Sequence, residues 1–167
     1  MVRQIIVDES DTPIGFKERS EITSTDIYRA TALWLTNSNN EVLLARRAYT
    51  KEKDPGVWGP AVGGTVDEGE EYDDNIVKEI KEEIGLDIPI TNLQRGPKTE
   101  SKNRLNQKYF IQWYTYTIDL PAEDFIIEPK EVEEVKWFPI SRLLDTIASN
   151  PEEFTLGAQK WKNFLLA

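Results

Sequence analysis

The sequence predicts an α+β fold built around a mixed β-sheet. Strand-like and helix-like patterns interleave along the chain without successive βαβ units, which argues against a doubly wound parallel sheet. One strongly amphipathic helix pattern is bracketed by glycines near the middle. The third observation is composition: 39% of the 167 residues are apolar, including five Trp, six Tyr and six Phe, enough for a folded core. A chain of this length buries about 68–70% of its unfolded surface. A single domain over residues 1–167 is therefore expected.

Taken in order, Arg3 to Asp8 is a short apolar strand, and Thr12-Pro13-Ile14-Gly15 turns the chain into a polar stretch with Lys17, Arg19 and Glu21. Tyr28–Thr36 and Glu41–Ala45 form a hairpin across the polar loop Asn37-Ser38-Asn39-Asn40. Ala48 to Pro60 reads as a loop, since Pro55 and Pro60 exclude a central strand. From Asp73 to Ile84 the apolar residues Ile76, Val77, Ile80 and Ile84 make one helical stripe. Gly85 is placed to end that helix, Asp73 and Asp74 suit its first turn, and Lys78 is spaced to pair with Asp74 and Glu82. Gly96 to Arg104 reads as a basic loop before a central strand at Lys108–Ile118, rich in aromatic and β-branched residues. Val132–Phe138 is a further strand, and Pro139 opens a helix to about Ser149 as its first residue. A last amphipathic helix is expected over about Leu156 to Leu166.

The charge distribution is uneven. Net charge is −10, which disfavours a nucleic-acid backbone as partner. Residues 64–86 alone hold nine acids against Lys78 and Lys81, leaving the rest of the chain near balance. Within that segment Glu79, Glu82 and Glu83 fall on one arc of the helix. Their repulsion would weaken an isolated helix by about 0.2–0.5 kcal/mol per pair, whereas a hard divalent cation with oxygen ligands turns it into binding energy. The chain has no Cys and no His, which excludes disulfides, thiolate or imidazole zinc sites, thiol nucleophiles and Ser-His-Asp triads. No apolar run approaches the roughly 20 residues of a membrane span, and the start MVRQIIVDES lacks a signal-peptide core, so a cytoplasmic setting without membrane contact is expected. No heptad marks an oligomer.

As spacing, Gly64-x5-Glu70-x7-Lys78-Glu79-Ile80-x-Glu82-Glu83-x-Gly85-Leu86 resembles the Nudix box, GX5EX7REUXEEXGU with U aliphatic. Every fixed position is met but one, where Lys78 replaces Arg. The upstream hairpin ending in LLARR, the run Gly56-Val57-Trp58-Gly59-Pro60 and the downstream EVEEVKWFPISRLL also resemble Nudix domains. The resemblance implies an α/β/α sandwich with a mixed sheet. It further implies Mg²⁺- or Mn²⁺-dependent hydrolysis of a small diphosphate compound, commonly a nucleoside diphosphate linked to another group. On it, Glu79, Glu82 and Glu83 are the metal ligands, the Gly63 carbonyl adds an oxygen, and Glu70 supports the helix start. The general base is a box glutamate or a later one, with Glu131 the candidate and Glu128 its alternative. Lys in place of Arg trades a bidentate fork for a point charge.

Other residues carry two readings each. Trp58 could stack on a base or plug the core edge; Arg47, and with it Arg46 and Lys53, could meet substrate phosphates or remain solvated. Trp113 and Tyr109 read as core or sheet surface, and Lys98, Lys102 and Arg104 as a soluble loop. The competing function is a Nudix domain without catalysis that binds a nucleotide or a protein. The chain's start also resembles type 1 isopentenyl-diphosphate isomerase, but that chemistry needs a Cys and His ligands, which are absent.

Overall fold

The structure, a computed structural model, describes residues 1–165. Nine strands join one sheet: β1 (Arg3–Val7), β2 (Pro13–Glu18), β3 (Ile27–Thr36), β4 (Glu41–Arg47), β5 (Trp58–Pro60), β6 (Val62–Thr65), β7 (Gln94–Lys102), β8 (Lys108–Thr117) and β9 (Val132–Pro139). Among the described residues two α-helices accompany them, α1 (Tyr72–Ile84) and α2 (Ile140–Ser149). β3 is the spine. It pairs antiparallel with β1, β4 and β6 on different parts of its length, and parallel with β8 from Ile27–Lys108 to Thr36–Thr117.

The period-2 alternation of strands sorts the core into two layers. Leu33, Leu35 and Leu43 face one side, where Ile76, Ile80 and Ile84 of α1 pack with no exposed surface. Ala32, Trp34, Val42 and Leu44 face the other, against Leu143 and Ile147 of α2 and against Trp113, Phe154 and Trp161. The result is the expected α+β sandwich with a mixed sheet. The α1 pattern holds at both ends: Glu71 and Asp74 form a capping box, and Gly85 closes the helix at φ 74° with its N–H donating to the Lys81 carbonyl. Among the described residues no helix is long and apolar enough to cross a membrane.

Five expectations differ. Residues 94–102, expected as a loop from Gly96 on, form β7, which pairs only with β8. The position is an edge, where Lys and Pro are tolerated, and Gly96-Pro97 falls in the register shift between Arg95 and Lys98. The polar stretch after Thr12 likewise forms edge strand β2, and Trp58–Pro60 makes a three-residue strand on β4. Pro139 caps α2 from outside instead of occupying its first turn. The closing helix is a 3₁₀ segment, Leu156–Asn163, and the expected end at Leu166 lies outside the described residues.

Candidate active site

The site begins where α1 crosses the hairpin strand β6. Gly63 and Gly64 lie beside Ala32 and Thr31 of β3, and the helix approaches so closely that a Cβ on Gly64 would stand 2.4 Å from the Glu79 side chain. Glycine there is a requirement of space, not of backbone angle. Glu83, one turn on, is 7% exposed and its Oε2 accepts the Gly63 N–H at 3.2 Å. Gly63, expected to contribute its carbonyl, holds Glu83 through its amide.

Asn75 joins the site although its sequence pattern did not single it out. It is fully buried, and its Nδ2 donates to the Thr65 carbonyl and to Glu70 Oε2, each at 2.9 Å, with a longer contact of 3.4 Å to Glu79 Oε1. Its Oδ1 accepts the Thr31 hydroxyl. One amide therefore ties the Gly-rich loop, the helix and β3 together. A polar residue directly beside the apolar stripe, one turn before Glu79, was the available signal.

Lys78 pairs with neither Asp74 nor Glu82. Its ammonium turns back to the loop, 2.5 Å from Glu70 Oε1, 3.3 Å from Asp67 and 3.7 Å from Glu79. The local helix pairing loses because three carboxylates converge at the half-buried loop side, where charge contacts are less screened. Burial would raise the Glu70 pKa, but Lys78, Asn75 and the Asp67 amide bring it below the ordinary range. Glu70 is thus a structural anchor at the helix start.

Glu79 and Glu83 behave oppositely. Burial is the main cause of a Glu79 pKa near 7, with Lys78 opposing and Glu82, Glu70 and Asp67 adding to the rise. For Glu83 burial again leads, the Glu79 charge adds to it, the Gly63 amide opposes, and the value reaches about 8. One buried and one half-buried carboxylate with too little positive charge fit a hard cation as their missing partner. Glu82 is exposed at the cavity rim. Among the described residues no three carboxylates already form a ready-made chelate.

These groups open on a cavity of about 700 Å³. Its floor is the sheet face made by Gly63 and Thr65 of β6, Tyr28, Ala30 and Ala32 of β3, and Tyr109, Ile111 and Trp113 of β8. Small residues floor the half beside the glutamates; aromatic ones floor the other. Glu131 also lines the cavity, its Oε2 2.6 Å from Lys51 Nζ, its carbonyl accepting the Ala48 N–H and its charge adding to the rise in the Glu83 pKa. Glu128 lies alongside, its amide donating to the Glu83 carbonyl at 3.1 Å. Arg47 also faces the cavity, its Nε donating to the Lys53 carbonyl.

Trp58 does not reach this cavity. It is 5% exposed, packs edge-on to Phe138, and carries the Arg46 guanidinium 4.9 Å from its ring centroid. Its flat face is taken, so it belongs to the core and is not a substrate contact. Two of the three basic residues assigned to a soluble loop are also engaged: Lys98 pairs with Asp11, and Arg104 with Asp54 and the Glu152 and Phe154 carbonyls. Trp113 and Tyr109 are floor and core at once.

The NUDIX domain family model matches residues 27–157, the span from β3 to the start of the 3₁₀ segment. An uncharacterized Nudix hydrolase of Pseudomonas aeruginosa is 40% identical over 140 residues, covering 80% of this chain and 83% of that protein. An isopentenyl-diphosphate Δ-isomerase of Corynebacterium diphtheriae is 24% identical, over 90% of this chain and 86% of that one. In fold, the chain is similar to a Deinococcus radiodurans protein, with a TM-score of 0.76, 23% identity and 95% of each chain covered. On the family match and the 40% identity, the chain belongs to the Nudix hydrolase family and is a pyrophosphohydrolase.

Proposed function

We propose that this protein hydrolyses a diphosphate bond in a small nucleoside-diphosphate-linked or related compound, using Mg²⁺ or Mn²⁺ and water attack on phosphorus. The observation that carries the reading is the pair Glu79, half-buried, and Glu83, buried: both short of positive charge and pressed against the Gly63–Gly64 strand. Glu79, Glu83 and the rim residue Glu82 would hold the cation, with Gly63 at its side. When bound, the cation supplies neutralisation of the diphosphate and a more acidic water. Asn75 and Lys78 keep Glu79 and Glu70 in register, so little reorganisation is left for the reaction itself. Arg47, which lines the same cavity, contacts a substrate phosphate. Glu131 receives the proton of the attacking water once Lys51 shares its charge with a phosphate; Glu128 is the alternative base.

The reading without catalysis drew its support from Lys78 alone. That lysine reaches Glu70, Asp67 and Glu79 together, which removes its motive. Isomerase chemistry lacks its Cys and His. Incubation with Mg²⁺ or Mn²⁺ and a panel of nucleoside diphosphate derivatives is expected to release phosphate or nucleoside monophosphate from at least one. Release from none would sink the proposal.

A further inference from the structure

Six cations outside the motif line the same cavity without a carboxylate partner among the described residues, Arg19, Arg46, Arg47, Lys53, Lys130 and Lys160, and three of them, Arg19, Arg47 and Lys53, are held close together. Arg19 comes from the 3₁₀ turn after β2 (Arg19–Glu21), Arg47 ends β4, and Lys53 lies in the loop before β5. Lys51, Lys78 and Arg104 are neutralised by Glu131, Glu70 and Asp54, and Arg46 lies over the Trp58 ring. Among the described residues, none of Arg19, Arg47 and Lys53 has an acidic oxygen within 4.0 Å.

Neutral groups hold them instead, and those groups fix where they stand. An Arg19 nitrogen donates to Thr65 Oγ1 at 3.3 Å, and Lys53 Nζ lies 4.9 Å from the centre of the Tyr28 ring. Thr65 sits opposite Ala30 in the β3–β6 register, two residues along the same face from Tyr28. Arg47 is bound to the Lys53 carbonyl at 3.0 Å. The three heads therefore gather over the first half of β3, next to the small-residue floor. Of the carboxylates beside Lys53, Glu52 is exposed and Asp54 turns to Arg104. Burial, then the charges of Arg19 and Arg47, bring the Lys53 pKa below its ordinary value, which agrees with crowding of like charge.

Such a grouping favours an anion with more than one charge and several acceptor oxygens. A phosphoryl group within a diphosphate capped at both ends carries one negative charge. A terminal phosphoryl group carries close to two at neutral pH and presents three free oxygens. We propose that Arg19, Arg47 and Lys53 form the subsite for the terminal phosphoryl group, so that preferred substrates have a free diphosphate end. The proposal rests on the diphosphate reading above and chooses within it. The remainder of the substrate then extends over Ile111 toward Trp113 and Phe164.

The test uses adenosine 5′-(α,β-methylene)diphosphate and its β-methyl ester, which bind without being hydrolysed, measured calorimetrically with Mg²⁺ present. The free-ended compound is expected to bind at least about tenfold more tightly than the ester, the worth of about one charge-assisted contact. Arg19→Gln and Lys53→Gln should each weaken the free-ended compound while leaving the ester nearly unchanged, closing most of that gap. Equal affinities, loss of both compounds together, or binding of neither would overturn the subsite. Discriminating binding in a protein that hydrolyses nothing would instead overturn the hydrolase reading and leave the subsite standing.

Discussion

Glu83 is held by a single amide hydrogen bond in a place water barely reaches, with Glu79 one turn before it. Replacing it by Gln keeps the shape and the contact with Gly63 but removes the charge. Turnover of Glu83→Gln is expected to fall by at least about 10²-fold, the scale for losing a preorganised charged group. Near-normal activity would remove Glu83 from the metal ligands. Lys78 offers a complementary test, because its charge lowers the Glu79 pKa. In Lys78→Met the Glu79 carboxyl should titrate higher, so the acidic limb of the pH–rate profile moves to higher pH. An unshifted profile would show that Lys78 acts only on the Glu70 side.

The contact between α1 and β6 depends on Gly64 having no side chain. In Gly64→Ala the new methyl meets the flexible end of Glu79, not backbone, so the helix stays and the carboxylate moves. Retained circular dichroism with weaker Mg²⁺ activation is the expected outcome; wild-type activation would mean that Glu79 has room this structure does not show. Trp58 belongs to the packing between β5, β9 and the segment at Phe154. Trp58→Ala should cost about 3–5 kcal/mol of stability, and Trp58→Phe should leave KM near wild type. A raised KM in the Phe variant would restore a role at the substrate. The edge strand β7 was not readable in advance. Its composition is that of a loop, and only the exposed side of β8 makes it a strand.

Across the fold, the buried glutamates make stability depend on pH in a definite direction. A carboxyl whose folded pKa is raised, as for Glu79 and Glu83, contributes stability that is complete below the unfolded value of 4.5 and is lost as pH rises through about 7 to 8. Asp11, Asp26 and Glu70 have lowered pKa values, and their contribution is lost only as pH falls below the ordinary carboxylate range. Without divalent cation, the melting temperature should therefore rise as pH is lowered from about 8 towards 5 and fall again in stronger acid. Saturating Mg²⁺ should flatten the upper slope and stabilise by about 2.7 kcal/mol at a hundred times its Kd. A slope indifferent to Mg²⁺ would separate these carboxylates from the cation.

Much of this protein is local in its sequence. The helix Tyr72–Ile84, its glycine stop, the concentration of acid in one segment and the spacing of Glu79, Glu82 and Glu83 follow from periodicity and residue chemistry, because a helix brings i, i+3 and i+4 together whatever surrounds it. The exclusion of Cys and His chemistry is likewise composition alone. The cavity is different. Its floor joins β6, β3 and β8, and its cations come from separate loops and strand ends, with Lys51 80 residues from the Glu131 that neutralises it. Side chains that meet only through sheet register leave no short-range pattern. That is why the turn of Lys78 towards Glu70, the removal of Trp58 from the site and the gathering of Arg19, Arg47 and Lys53 were decided by tertiary packing.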